Sequence, residues 1–487
     1  MCHHNDTYAW ICKRRFKKKG MKMDLWRNWV EIAMELRPAF SRKRTFMWFL
    51  VSLIGFSIRT DLMGVTSIVR SLALRPFCYD RLLDFFHSTA VDPAGLAKRW
   101  TTIVLKRFPL LTFDGKPVFV ADGIKVPKAG KKMPAVKLLH QESESNTKPE
   151  YIMGHSFQSL GVLCGFLNGV FSVPLASRIH EGLKKTPRDK RTLLDRMVEL
   201  LFDTVPADLG GVLVADAYYA SRNLIDPLLS NGWWLVTRLR SNAVAYEEPT
   251  EDMQPRGAGR KRIYGKKVNL RDLADGEMIE VESPVYGESG VMILYRCVDL
   301  LWRPVGRLVR FVIVVHPTRG RIFLLSTDIT LSPETIISIY GLRFKIEASF
   351  KQMVRTLGGY MYHFWMKMMT PLKRRSGDTY VHKETKTYRE RVERKMTAYH
   401  LFVQTAIVAQ GLMMYLALTC PKLVWRRFGS WMRTMNVNSV PSEFVVSTAL
   451  RNTFPEFLTN TPESSNLKKF LMERIDFDIA WHLDMAA

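Results

Sequence analysis

Two short apolar runs in the sequence each end in an aspartate: VFVAD at 118–122 and VLVAD at 212–216. Such runs, rich in Val and almost free of polar residues, are typical of central strands covered on both faces. Burying an unpaired carboxylate is costly, so Asp122 and Asp216 need a reason to stand at these strand ends. Each one alone fits a helix cap or turn cap. The matched pair instead favours a functional site, because α/β folds place ligands at the carboxyl ends of their strands.

Strand and helix patterns alternate around these two runs. Residues 156–179 form apolar stretches broken by Gly and Asn, which predicts a hairpin at Leu167-Asn168-Gly169. Apolar spacing predicts a helix over 192–205, a second helix over 221–232 that ends at a glycine, and a strand over 233–240. This alternation indicates a mixed α/β core.

Changes in the residue pattern along the chain divide it into six predicted parts. Apolar residues at steps of three and four indicate a small helical domain before the core, and short alternating segments indicate a β-rich insertion within it. The predicted parts are a basic, disordered tail (1–22), a small basic helical domain (23–111), the first part of the core (112–240), the β-rich insertion (241–318), the second part of the core (319–370) and a helical C-terminal region (371–487).

The charge of the chain points to a polyanionic partner. Lys and Arg number 72 against 46 Asp and Glu, which gives a formal net charge of +26, while a hydrophobic fraction of 47% excludes global disorder. A surplus of this size on a folded protein is most often matched by nucleic acid. The basic clusters are KVPKAGKK (125–132), RGAGRKR (256–262) and KRR (373–375).

Neither a membrane span nor secretion is predicted. The longest uninterrupted apolar run, Phe46 to Ile58, is shorter than the roughly 18–20 residues that cross a bilayer, so we predict a buried helix there. No secretory signal pattern follows the basic N-terminal stretch. The six cysteines show no CxxC pairing, which fits a reducing compartment. We therefore predict a cytoplasmic protein.

A third carboxylate lies on a predicted helix. Ser332 is the expected N-cap of this helix, Pro333 and Glu334 occupy its first turn, and Gly358 ends it. At about 100° per residue its polar residues share an arc of roughly 80°, opposite an apolar face. The polar arc holds Tyr340, Arg343, Glu347 and Lys351. A solvated face with an Arg343–Glu347 ion pair is the simpler interpretation, but it leaves the position after the two aspartates unexplained.

Three carboxylates from separate elements suit a two-metal site. Asp122, Asp216 and Glu347 offer only oxygen ligands, which hard divalent ions prefer. Two Mg²⁺ ions, or Mn²⁺ as a substitute, held about 4 Å apart would activate an attacking hydroxyl and stabilise the leaving oxygen of a phosphodiester.

At this point the sequence resembles a known family. The motifs ADGIKVPK (121–128), VADAYYAS (214–221) and YGLRFKIEASFKQM (340–353) are similar to those of the DDE transposases of bacterial insertion sequences, specifically the insertion-sequence-four superfamily. The signature Tyr-x2-Arg-x3-Glu-x6-Lys of that superfamily is matched at Tyr340, Arg343 and Glu347, while its Lys position falls on Val354. The resemblance covers roughly residues 115 to 365.

The resemblance implies a ribonuclease-H-like core interrupted by a β-strand insertion. It also implies binding to the terminal inverted repeats of an element, a homodimer on paired DNA ends, and Mg²⁺-dependent cleavage and strand transfer into target DNA. By carry-over, Asp122, Asp216 and Glu347 are the metal ligands and catalytic residues. The implied or nearby DNA contacts are Tyr340, Arg343, Lys351, Arg355, Lys125 and Trp302.

Some alternatives stay open from the sequence. Trp302 either stacks on a flipped base or is simply buried, and burial is favoured. His155 fits a structural histidine better than a catalytic one, because two-metal chemistry needs no imidazole base. Val354 at the Lys position supports a catalytically inactive DNA-binding protein derived from a transposase. A two-metal nuclease without strand transfer is the other alternative.

Overall fold

The computed structural model describes residues 24–141, 149–166, 169–255, 259–462 and 464–478. The predicted basic tail at 1–22 lies outside these residues, as does part of the basic cluster at 256–262. Within them the fold is mixed α/β, with one large sheet between helical N-terminal and C-terminal regions.

Between residue 24 and the first strand the structure has five α-helices, as the apolar spacing predicts. Helix α2 is buried over most of its length, which confirms the interpretation of the Phe46 to Ile58 run as a core helix. Asp24 caps α1 and Asp92 caps α5 through their side chains. The helices are α1 (Leu25–Met34), α2 (Lys43–Ile58), α3 (Gly64–Ser71), α4 (Cys78–Phe86) and α5 (Pro93–Arg107).

The sheet begins with a ribonuclease-H-like order. A hairpin of β4 and β5 pairs with β2, and β2 is followed by two parallel strands, giving the order β5-β4-β2-β6-β7. This confirms the predicted hairpin, although its turn residues 167 and 168 are outside the described ranges. The strands are β1 (Thr112–Phe113), β2 (Lys116–Pro127), β3 (Lys137–His140), β4 (Tyr151–Phe166), β5 (Gly169–Ile179), β6 (Gly211–Ala215) and β7 (Trp233–Leu239).

Two helices connect the parallel strands. Helix α6 (Leu193–Thr204) starts at a capping box of Thr192 and Asp195 and leads into β6. Helix α7 (Arg222–Ser230) joins β6 to β7 and ends just before Gly232, whose φ of 73° suits a helix stop. Both helices lie where the sequence predicts them.

The residues predicted as a β-rich insertion extend the same sheet. Strand β13 pairs antiparallel with β7, and β12, β11, β8 and β9 continue the order outwards. The insertion and the core therefore share one hydrogen-bonded sheet. The strands of the insertion are β8 (Val244–Tyr246), β9 (Lys267–Asn269), β10 (Ile279–Glu282), β11 (Met292–Trp302) and β12 (Arg307–His316). Strand β13 (Gly320–Ser326) lies in the predicted second part of the core and joins β12 to β7.

The helix predicted from Ser332 to Gly358 is not continuous. Ser332 caps α8 (Pro333–Gly341) as expected, but a second helix, α9 (Lys345–Gln352), follows after a short interval and passes into a π-helical turn. In the interval the amide of Arg343 bonds to the carbonyl of Tyr340, three residues back. Gly341 weakens a helix interior here and packs closely against Val285 of the insertion. The prediction of one straight helix was wrong at this point.

The C-terminal region is built on one long helix. The predicted apolar helix at 400–418 is the second half of α10 (Lys386–Thr419), which begins fourteen residues earlier in a charged, exposed stretch. It is long and apolar enough to span a bilayer, but 94% of its most apolar window is buried inside the protein. It contacts α1, α2, α4, α5 and β5. The remaining helices are α11 (Pro421–Phe428), α12 (Glu443–Asn460) and α13 (Asn466–Met472).

Candidate active site

The sheet register places the two aspartates side by side. Parallel pairing of β2 with β6 matches Val118 to Val212 and Val120 to Val214. The same offset separates Asp122 from Asp216, so the two residues stand at the same level on neighbouring strands, which lie about 4.8 Å apart in a sheet. Two carboxylates separated in sequence thereby meet at one edge of the parallel part of the sheet.

The sequence suggested that Asp122 ends its strand, but in the structure the strand continues beyond this residue. Strand β2 continues to Pro127 by pairing with β4 alone, whereas its parallel pairing with β6 stops at Val120. Asp122 therefore follows the last parallel pair. Its side chain is about one-fifth exposed, and its Oδ1 accepts a hydrogen bond from the amide of Gly123 at 2.7 Å.

Asp216 combines a strand end with a turn cap. It follows β6 directly, and its Oδ1 accepts from the amide of Ala217 at 2.7 Å at the start of a single 3₁₀ turn. The capping role considered for this residue therefore occurs. The residue is exposed, so its second carboxylate oxygen is open to a ligand.

Glu347 reaches the site through Arg343. Helix α9 lies against β2 and β5, and Glu347 is in its first turn with a half-exposed side chain. The guanidinium of Arg343 donates to Glu347 Oε1 at 2.7 Å and to Asp122 Oδ2 at 3.1 Å. The predicted i,i+4 pair thus exists, but Arg343 also ties the helix to the strand of Asp122.

The electrostatics of Asp122 reflect this crowding. Burial raises the pKa of Asp122 to about 6, Arg343 opposes the rise, and the negative charges of Glu347 and Asp216 add to it. Tyr219 stands behind both aspartates, and burial together with their charge raises its pKa, so its phenol stays protonated. The pKa of Asp122 therefore reflects the charges of Arg343, Glu347 and Asp216 around it.

The donor set suits a hard divalent ion. All three side chains offer carboxylate oxygens, and a cation, the guanidinium of Arg343, already bridges two of them. In the arrangement described, no three acidic, His or Cys side chains of the described ranges lie close enough to enclose a metal ion. The guanidinium of Arg343 already holds one oxygen of Asp122 and one of Glu347 that a metal ion would otherwise be able to take.

The remaining predicted DNA contacts lie at different depths. Tyr340 is half-buried beside Arg343, and burial raises its pKa. Lys351 and Arg355 are exposed on either side of Val354, which is itself 37% exposed. Lys125 is also exposed, and its ammonium donates to the carbonyl of His140 at 2.7 Å.

Trp302 and His155 are both buried. Trp302 ends β11 with 6% of its surface exposed and packs in the main hydrophobic core, in line with the burial alternative. His155 lies between the carbonyl of Pro134 and the hydroxyl of Tyr362, at 2.8 and 2.6 Å from its two ring nitrogens. Both positions correspond to structural roles.

Two cavities flank the carboxylates, and neither was foreseen from the sequence. One, of about 510 Å³, borders Asp122 and Asp216 and is lined further by Tyr218, Gln158 and His180. The other, of about 560 Å³, lies between the insertion and helix α8. Its lining includes Arg238, Tyr286, Tyr340, Arg343 and Phe344. The aromatic pair after VLVAD, Tyr218-Tyr219, was the one sequence feature that pointed to the first cavity. The second cavity could not be predicted, because it depends on how the insertion packs against helix α8.

A comparison with protein families shows which family the chain belongs to. The sequence profile of the family described as DDE superfamily endonuclease matches residues 35–283, slightly more than half of the chain. The chain belongs to the DDE endonuclease superfamily. The matched region of this DDE endonuclease contains Asp122 and Asp216 and ends before Glu347. Membership supports a ribonuclease-H-like core, a nuclease-type activity on DNA and the use of divalent metals. No curated protein matches the chain significantly.

Proposed function

We propose that this DDE endonuclease is a DNA transposase of the insertion-sequence-four superfamily. It would cut at the terminal inverted repeats of its element and join the 3′-hydroxyl ends to target DNA. The observation that carries the proposal is that Arg343 bridges Asp122 and Glu347, while the strand register sets Asp216 beside Asp122.

The three carboxylates have distinct settings in this proposal. Asp122, the least exposed of the three, would hold the metal together with exposed Asp216 and half-exposed Glu347. Bound Mg²⁺, or Mn²⁺ in its place, supplies activation of the attacking hydroxyl and stabilisation of the leaving oxygen.

Arg343 and Tyr340 act on the DNA strand. Arg343 offers a planar fork that matches phosphate oxygens as well as carboxylates, so a phosphate at the site competes for it. Tyr340 and Arg343 both line the cavity between the insertion and α8, which supports a contact of Tyr340 with the nucleotide at the cut. Lys351 and Arg355 offer cations to the DNA backbone in place of the Lys replaced by Val354.

The rest of the chain would bind and align DNA. The proposal assigns DNA binding to the helical region 23–111 and dimerisation on paired ends to the helical region 371–487, with target DNA as the second substrate. It places the protein in the cytoplasm with bacterial DNA.

The test is incubation with DNA carrying the ends of the element and Mg²⁺, with nicked, hairpin and joined products resolved. We expect cleavage and joined products from the wild type, and loss of both with retained end binding in Asp122→Asn, Asp216→Asn and Glu347→Gln. Asp226→Asn, which alters an exposed carboxylate outside the site, is the matched control and should cleave normally.

The outcomes separate the alternatives. Cleavage without joined products favours a nuclease that lacks strand transfer. End binding without nicking in Mg²⁺ or Mn²⁺ favours the inactive DNA-binding protein. Full activity in any of the three carboxylate variants overturns the site assignment.

A further inference from the structure

Two basic clusters that are far apart in sequence meet on one surface. The loop after β2 carries Lys131 and Lys132, and the segment 363–375 runs beside it. The amide of Met366 donates to the carbonyl of Lys132 at 2.9 Å, and the amide of Leu372 donates to that of Lys131 at 2.7 Å. We call this surface the Trp365 platform. It consists of Lys131, Lys132, Trp365, Lys367, Met368, Lys373, Arg374 and Arg375.

The platform displays two large apolar side chains at its centre. Trp365 is 59% exposed and Met368 is 64% exposed. Their neighbours Phe364, Met366 and Met369 point the other way and are buried. The segment is therefore held by its buried side chains while it presents Trp365 and Met368 outwards.

The contact between the two segments is close and polar. The ammonium of Lys132 donates to the carbonyl of Lys367 at 3.0 Å. An ideal Cβ placed on Gly130 would lie 2.8 Å from the indole nitrogen of Trp365, so the loop packs directly against that ring. Tyr399 of α10 adds a hydrogen bond to the carbonyl of Phe364 at 2.7 Å from below. These contacts fix the backbone on either side of Trp365 and hold its ring against the loop.

The charge of the platform is uncompensated within the described ranges. Its six Lys and Arg side chains form no ion pair there, and the acid that follows in sequence, Asp378, is already paired with Lys137 at 2.9 Å. Six cations around exposed apolar groups suit a polyanion that also offers flat apolar surfaces. Nucleic acid has both, since its phosphates are anionic and its bases stack on aromatic rings. A protein partner fits less well, because Lys is depleted in the cores of protein interfaces.

We propose that the Trp365 platform is a second DNA-binding surface, which grips the backbone of a duplex with its cations and inserts Trp365 at an opened base step. Proteins that kink DNA use apolar wedges flanked by cations in this way. Strand β2 leads from Asp122 to Pro127, about 17 Å at 3.3 Å per residue, just before the platform begins. One strand and a short loop therefore connect the candidate active site to the platform.

The proposal rests on the proposed function only in taking DNA as the ligand, and it is tested without cleavage. The full-length chain is titrated in EDTA with a fluorescent 30-base-pair duplex, intact or with a central two-base mismatch that eases unstacking. Variants are Trp365→Ala, Trp365→Phe and the double variant Arg374→Ala/Arg375→Ala. Matched controls are Trp431→Ala, which removes a 79% exposed Trp outside the platform, and Lys422→Ala/Arg426→Ala, which removes two exposed cations of α11.

We expect the wild type to prefer the mismatched duplex, and Trp365→Ala to lose about tenfold in affinity for it, as expected for one stacked base. The Trp365→Phe variant should keep most of the wild-type affinity for the mismatched duplex, because a Phe ring also stacks on bases. Arg374→Ala/Arg375→Ala should reduce the slope of log affinity against log salt by about 1.8. The controls should stay within twofold of the wild type, and thermal melts verify that each variant is folded.

Equal affinity of wild type and Trp365→Ala for the mismatched duplex overturns the platform, as does an equal effect of the control variants or a wild type that binds neither duplex. Cleavage is scored separately with Mg²⁺. Trp365-dependent binding without cleavage leaves the platform standing and counts against the proposed function. If the wild type cleaves DNA but Trp365→Ala binds the mismatched duplex as well as the wild type does, the proposed function stands and the platform is overturned.

Discussion

Arg343 donates from its guanidinium to the carboxylate of Asp122 across 3.1 Å, and so links a helix to the strand it crosses. The same guanidinium reaches Glu347 at 2.7 Å. One protein cation thus occupies the space between two of the three carboxylates that the proposed function assigns to metal. Several measurable consequences concern this bridge and the packing around it.

Arg343→Ala should make stability depend on divalent metal. Without the bridge, Asp122 and Glu347 repel each other, and we expect the free energy of unfolding in EDTA to fall by roughly 1–3 kcal/mol, mostly through the less exposed Asp122. Mg²⁺ should raise the melting temperature of the variant more than that of the wild type. Thermal denaturation with and without Mg²⁺ measures both effects.

The matched control for this prediction is Arg222→Ala. It breaks an exposed i,i+4 pair with Asp226 at 2.8 Å, outside the candidate site. A change below about 0.5 kcal/mol with no added response to Mg²⁺ is expected. If Arg343→Ala and wild type respond to Mg²⁺ alike, Arg343 does not compete with the metal.

Trp302→Phe should affect stability and leave DNA affinity unchanged. The indole is buried in the main core, so the smaller ring leaves a void, and Trp302→Ala should lower the free energy of unfolding by about 3–5 kcal/mol. Urea denaturation gives the stability, and anisotropy with end DNA gives the affinity. A tenfold loss of affinity in folded Trp302→Ala that Trp302→Phe largely restores would instead support the stacking role.

Acid should destabilise the protein through buried histidines. The ring of His155 donates to the carbonyl of Pro134 and accepts from Tyr362, and burial lowers its pKa to about 3. Burial also lowers the pKa of His180 and of His400 to about 4. Between pH 6.5 and 4 the unfolded chain binds more protons than the folded one, so the free energy of unfolding falls as the pH falls.

The measurement for the histidines is urea denaturation at a series of pH values. Each buried histidine contributes a slope of up to about 1.4 kcal/mol per pH unit in this window. The free energy of unfolding should therefore decline clearly between pH 6.5 and 5. A constant value over that interval would contradict the assignment of these side chains as neutral and buried.

Gly411→Ala should destabilise, against the usual effect of removing a glycine from a helix. An ideal Cβ on Gly411 of α10 would lie 2.2 Å from the ring of Trp100 in α5, and the indole of Trp100 is fixed by a hydrogen bond to Pro174 at 2.9 Å. We expect a loss of about 1–3 kcal/mol from overpacking, measured by urea denaturation.

Gly95→Ala serves as the comparison. Gly95 lies in the first turn of α5, where the nearest atom to an added Cβ is at 3.5 Å, an ordinary contact. This variant should be as stable as the wild type or more stable by up to about 1 kcal/mol. Similar losses in both variants would show that the close contact with Trp100 is not the cause.

The strands that carry the aspartates could be predicted from the sequence, because buried parallel strands leave continuous apolar runs. VFVAD and VLVAD indicated where these strands lie, whereas the parallel register that sets Asp122 beside Asp216 is seen only in the sheet. The helix of Glu347 was predictable in its faces but not in its break, since the break depends on Gly341 packing against Val285 from the insertion. Periodicity reports which side of a helix is buried, not what lies against it.

Contacts between distant segments could not be predicted in the same way. Arg343 has an obvious partner in Glu347, four residues away, whereas its contact with Asp122 spans the whole insertion. Lys131 and Arg374 each belong to a basic cluster visible in the sequence, yet their meeting around Trp365 follows only from the path of the chain. Local spacing carries no information about such pairings.

The position of α10 has a consequence for the order of events during synthesis. The helices α1 and α2 are synthesised well before α10, the helix that covers them, which begins roughly 330 residues after α2 ends. At about 5–20 residues per second they wait roughly 15–60 seconds with apolar surface uncovered, a natural interval for chaperone contact. Glu347 is also made late, so under the proposed function a nascent chain carries both aspartates well before it is able to cut DNA.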